Sequence, residues 1–150
     1  MQTQTARQLG EIASIEEQLA SVIADSVKRV QDPEMKDRMR RAAGRHRQHS
    51  KELLTIDGVE PVRSEEVAEK IDGISQRVEH AVGQNGLMAA LGHLEQEEEV
   101  RLGEVLAADI DPEMADRLRA QQSDVSDDVR VFLDEAAGAV PGLGRPRNTR

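Results

Sequence analysis

The chain has no cysteine, tryptophan or tyrosine, and Phe132 is the only aromatic side chain in its 150 residues. The lack of cysteine excludes disulfides and thiolate chemistry. The lack of aromatics leaves an aliphatic core rich in methionine and alanine. No apolar run is long enough to span a bilayer. The N-terminus, MQTQTARQLGEI, lacks a basic region followed by an apolar one, so no signal peptide is expected. These absences predict a cytoplasmic protein without membrane contact. Basic residues are also in short supply, 20 Lys and Arg against 29 Asp and Glu, for a net charge of −9. A nucleic-acid partner is not expected, because binding to phosphate needs a basic face. There is no glycine-rich phosphate loop and no Ser-His-Asp constellation.

What is present is a repeat. Residues 32–39 read DPEMKDRM and residues 111–118 read DPEMADRL, 79 positions apart (Asp32 to Asp111). Each copy is a helix start. The aspartate can accept backbone N–H bonds as N-cap, the proline suits the first helical position, and the glutamate sits where the helix dipole favours negative charge. Each copy follows a long amphipathic stretch. Two helical hairpins related by duplication are the simplest reading, in one domain over residues 1–137. Residues 138–150, GAVPGLGRPRNTR, form an expected disordered tail.

Five amphipathic segments make up the domain. The first covers about Thr5–Val30, with a stripe of Leu9, Ile12, Ile15, Leu19, Ile23 and Val27. The second covers Asp32–Leu54, with Met35, Met39, Ala42, Ala43, Ser50 and Leu53 on one face. A break at TIDGVEPVRSEE precedes a third segment over about 64–82, an extra crossover helix on the outside or across one end of the bundle. Gly83-Gln84-Asn85-Gly86 is expected to break the chain again. The fourth segment then covers Leu87–Leu106, and the fifth runs from Asp111 to Ala137 with Met114, Leu118, Gln121, Val125, Val129 and Phe132. The arginines around the second helix, among them Arg38, Arg41 and Arg45, are expected to be a solvated face.

Polar residues interrupt these stripes. Glu16 lies inside the first, His46 at the centre of the second with His49 one turn on, and Glu98 inside the fourth with Glu95 at its edge. Asp128 sits beside the fifth. His80, His93 and Glu97 fall off the stripes. An unpartnered carboxylate among leucines is costly, so Glu98 needs a histidine, an arginine such as Arg101, or a metal. In an antiparallel hairpin, residues equally far from the turn lie side by side. Glu16 is 16 residues before Asp32, and His46 and His49 are 14 and 17 after it. Glu95 and Glu98 are 16 and 13 before Asp111, and Val125 and Asp128 are 14 and 17 after it. All of these positions share one layer.

On these features residues 8–136 resemble the ferritin-like superfamily, in particular small rubrerythrin-like four-helix proteins. The resemblance implies an all-α, ferritin-like four-helix bundle of two hairpins. It also implies a glutamate from each of two helices and Glu-x-x-His from the other two, enclosing metal. Glu16 matches the first glutamate, Glu95 or Glu98 the third-helix glutamate, and His49 the second-helix histidine. The pattern is broken where His46 replaces a glutamate and Val125-x-x-Asp128 replaces the last Glu-x-x-His. The implied site is an incomplete set of Glu16, His46, His49, Glu95, Glu98 and Asp128, suited to one iron, zinc or manganese ion. Two functions follow. One is a metal-binding protein that handles iron or acts on oxygen or peroxide; the other is a structural or protein-interaction bundle with a vestigial site. The aliphatic surface and the crossover helix lead us to expect a homodimer.

Overall fold

The structure, a computed structural model, describes residues 1–138. It is all-helical, with no strand among the described residues. The helices are α1 (Thr3–Ser26), α2 (Pro33–Leu54), α3 (Glu65–Glu79), α4 (Gly83–Leu106) and α5 (Pro112–Gly138), and a 3-10 turn, Val27–Arg29, closes α1. Both repeated caps form. The Glu34 N–H donates to Asp32 at 3.2 Å, and the Glu113 N–H to Asp111 at 3.1 Å. Ser64 caps α3 by accepting from the Val67 N–H. No helix among the described residues is long and apolar enough to cross a membrane.

α1 packs along α2, and α4 along α5. α3 lies on the outer side of α1 and runs parallel to it. Gln18 of α1 donates to Ser75 at 2.5 Å, and Arg29, further on, donates to the carbonyls of Val78 and Ala81 at 2.7 and 2.6 Å. The chain therefore re-enters the bundle at the end where α1 meets α2. The linker before α3 presses on α1 at Gly10, where an added Cβ would lie 2.1 Å from the Glu60 carbonyl oxygen. Only glycine permits that approach.

Two apolar clusters fill the bundle. One gathers Ile15, Leu19, Ile23, Met39, Leu91 and Phe132, and the other Leu9, Ile12, Leu53, Leu102, Leu118 and Val125. Charged residues of α1, α2, α4 and α5 occupy the level between them.

Three boundaries differ from expectation. Gly83 alone makes the reversal, with φ of 72°, and Gln84-Asn85-Gly86 opens α4 instead of breaking it. α3 ends at Glu79, short of 82, and Arg29 donates to the carbonyls of Val78 and Ala81 at that end. α5 extends through Gly138, and the rest of the expected tail, residues 139–150, lies outside the described residues. The buried face of α5 also differs: Ala115 and Asp128 lie inward, where Met114 and Val129 were expected.

Candidate metal centre

Each of the four long helices turns a charged side chain into the bundle. Glu16, His46, Glu95 and Glu98 are fully buried, and His49 and Asp128 are nearly so. Glu16 is the hub. Its two oxygens take one imidazole each, His46 Nδ1 at 2.5 Å and His49 Nδ1 at 3.0 Å. The outer nitrogen of each ring is held by a separate carboxylate. His46 Nε2 lies 2.8 Å from both oxygens of Glu95, and His49 Nε2 is 3.0 Å from Asp124 Oδ2. The rings stand edge to face, with centroids 6.0 Å apart. Each ring thus has a carboxylate at both nitrogens, an arrangement that favours the doubly protonated, positively charged imidazolium.

The electrostatics follow from this packing. Burial works to raise the Glu16 carboxyl, but the charge and N–H of His46, and then those of His49, overcome it and hold the pKa at about 2. Burial opposes charge on His46, yet the carboxylates of Glu95 and Glu16 raise it well above the ordinary histidine value. His49 is raised against its own burial by its bonds to Glu16 and Asp124. The α4 and α5 carboxyls go the other way. Burial and the negative charge of Glu16 push Glu98 well up, with Arg101 opposing. Burial and the charge of Glu95 bring Asp128 to about 7, with Arg45 opposing.

Two arginines complete the layer. Arg101 donates to Glu98 at 3.0 Å, as its spacing on α4 suggested. Arg45 donates to Asp128, which corrects the expectation that Arg45 belongs to a solvated face. With these two pairs set aside, the remaining buried carboxylates are Glu16 and Glu95. Their combined charge matches two imidazolium ions or one divalent cation.

Two sets of ligand atoms lie within 4.8 Å of one another among the described residues: Glu16 with His46 and His49, and His46 with Glu95 and Asp128. These buried groups can hold a metal ion, and they share His46. Glu95, expected at a stripe edge, is fully buried and central. Glu98, expected among the ligands, joins neither set. Its Oε1 accepts from Arg101, and its Oε2 is buried without a donor. His80 and His93 are exposed, as expected. Asp124 was missed; it lies one turn before Asp128 on α5, and that spacing was the available signal. Gln121 was assigned only to the stripe, but it donates to the His49 carbonyl at 3.5 Å.

The chain matches no family model, no curated protein and no solved structure.

Proposed function

We propose that this protein is a ferritin-like metal-binding bundle that holds one divalent ion (iron, zinc or manganese) through Glu16, His46 Nδ1 and His49 Nδ1. The observation that carries the reading is the orientation of the two rings. Both turn Nδ1 to the same carboxylate, and each has its Nε2 tied to a carboxylate of its own, Glu95 or Asp124. Histidine ligands are commonly oriented this way, with the outer N–H donated to an acid that sets the tautomer and raises ligand basicity. Two imidazoles and a carboxylate suit iron, zinc or manganese, and leave coordination positions open. The charge count agrees, because exchanging two ring protons for one divalent ion leaves the charge of the layer unchanged. Glu98 Oε2, buried without a donor, leaves a further oxygen in the layer. When bound, such an ion supplies Lewis acidity and, for iron or manganese, redox chemistry toward oxygen or peroxide. Glu95 and Asp124 hold the rings, and the apolar clusters keep bulk water out.

A second reading has its own support. His46 sits between Glu16 and Glu95 with both nitrogens satisfied, so two imidazolium ions balance the same charge. The layer would then serve only the bundle's structure or its contacts with other proteins. Metal content separates the two. Protein equilibrated with iron(II), zinc or manganese and then dialysed should retain one ion per chain, lose it in His46→Ala, and melt lower after chelation. Absence of stoichiometric metal, with melting indifferent to chelator, would establish the second reading.

A further inference from the structure

The layer is sealed on most sides. Glu16, Glu95, Glu98 and His46 have no exposed surface. A cavity of about 690 Å³ between α1, α2 and the segment leading into α3 includes none of the proposed ligands. Between α2 and α5 the situation differs. A cleft of about 320 Å³ is lined by Arg38, Arg41 and Arg45 of α2 and by Asp124, Asp127, Asp128, Val131 and Phe132 of α5. Neither histidine lines it, but two of its residues meet the outer sides of the rings: Asp124 holds His49 Nε2, and Asp128 Oδ2 lies 4.0 Å from His46 Nε2.

We propose that this cleft is the route by which a divalent cation reaches the buried site, and that the Arg45–Asp128 ion pair is the barrier on it. The inference rests on the metal-binding reading above. Room is adequate: at about 30 Å³ per water the cleft holds roughly ten, enough for an ion with its inner water shell. The carboxylates descend in order. Asp127 is exposed at the rim, Asp124 has 45% of its side chain exposed, and Asp128 at the floor has 6%. Successive acidic groups on one helix give an incoming cation a sequence of partners before it meets the imidazoles. Arg45 stands across that descent. Its guanidinium holds Asp128 and repels a cation, and its Nε is buried with no acceptor. Passage requires Asp128 to exchange the guanidinium for the ion.

Cobalt(II) is a suitable probe, because its visible absorption reports nitrogen and oxygen coordination. Metal-free protein is mixed with it in a stopped-flow instrument. Arg45→Gln should load about tenfold faster or more, at the low end of what focused charge does to association rates, and reach the same one-to-one endpoint. The chain has no cysteine, so a single one can be labelled alone. Val131→Cys carrying a bulky maleimide should load at least about tenfold slower. Gln96→Cys with the same label, on the exposed face of α4 beside Arg101, should load at the wild-type rate. Unchanged rates in both Arg45→Gln and labelled Val131→Cys, or slowing by the label at position 96, would overturn the route while leaving the metal site standing. If Arg45→Gln does not fold, the two labelled proteins decide the question. A wild type that takes up no cobalt removes the metal reading itself.

Discussion

The two hairpins start from the same plan and diverge where they meet. Counted 79 positions apart, Glu16 corresponds to Glu95, and both are fully buried acids on the first helix of their hairpin. At other inward positions the halves part company. His46 and His49 correspond to Val125 and Asp128, Leu19 and Val22 to Glu98 and Arg101, and Ala13 to Gly92. The first hairpin supplies both imidazoles, Glu16 and Arg45. The second supplies Glu95, Glu98, Asp124, Asp128 and Arg101. Neither half is electrically complete, and the imidazoles meet the carboxylates of the second hairpin only when the four helices pack together. The halves share helices and caps, and differ at the few inward positions that make the site.

The sharpest way to break the comparison is at positions 46 and 125. His46→Ala leaves Glu16 and Glu95 buried without their cation, and should cost about 3–5 kcal/mol, the usual consequence of breaking a buried charge pair. Val125→Ala removes only two methyl groups from a buried site and should cost about 2 kcal/mol. Urea denaturation of both proteins without metal tests this, and equal costs would mean that His46 acts as ordinary packing.

The halves should also separate in pH. Glu16 is depressed from 4.5 to about 2, so its contribution is present above pH 4.5 and lost as pH falls toward 2, a change of about 3 kcal/mol. Asp128 is raised from 3.8 to about 7. The folded protein then keeps a proton that the unfolded chain releases, and stability falls as pH rises across that window. Glu98, also raised, adds to that fall. The histidines, raised above 6.5, contribute fully below that pH and lose their contribution as pH passes their folded values. Metal-free protein should therefore be most stable in mild acid, near the Glu16 threshold. Asp128→Asn should flatten the decline between pH 4 and 7 in thermal melts, and a stability maximum above pH 8 would contradict the charge assignment.

A third expectation concerns Glu98 and Arg101, which stand where the first hairpin has Leu19 and Val22. Arg101→Val alone strands a buried carboxyl and should cost about 1–3 kcal/mol. Adding Glu98→Leu should bring stability back to the wild-type level or above it, because apolar replacement of a buried pair is often neutral or favourable. The double variant should still bind one metal ion, since Glu98 belongs to neither ligand set. Loss of metal from it would place Glu98 among the ligands.

The last comparison sets Gly92, the counterpart of Ala13, against Gly44, where the smallest effect is expected. A Cβ on Gly92 would lie 2.4 Å from Leu133 Cδ2, so Gly92→Ala should cost about 1–3 kcal/mol through overpacking. Gly44→Ala, which meets nothing within 4 Å, should gain about 0.5–1 kcal/mol in its helix. Thermal melting of the two variants should shift in opposite directions.

Helix count, caps and the existence of a polar layer were all legible without coordinates, because each is local. An Asp-Pro-Glu start, a stripe every three to four residues and a height measured from a turn depend on backbone geometry that the chain carries with it. Choosing between Glu95 and Glu98 was not local. They lie three residues apart on one face, and only the rotation of α4 against α2 puts Glu95, and not Glu98, on His46 Nε2. Asp124 and Arg45 were hidden for a related reason. Both lie on the polar flank of their helices, and they become site residues because α2 and α5 stand far enough apart to open a cleft between them.

By itself, then, the sequence determined an all-helical chain of two capped hairpins, a crossover helix between them, and a set of buried charges at one height. Tertiary structure decided which charges pair, through contacts that join residues 30 to 83 positions apart. Helix formation and amphipathic burial are set by neighbours within a turn or two. Whether a buried carboxylate faces an imidazole, a guanidinium or another carboxylate depends on how separate helices rotate and cross, and, the Glu98–Arg101 pair apart, no stretch of sequence holds both partners.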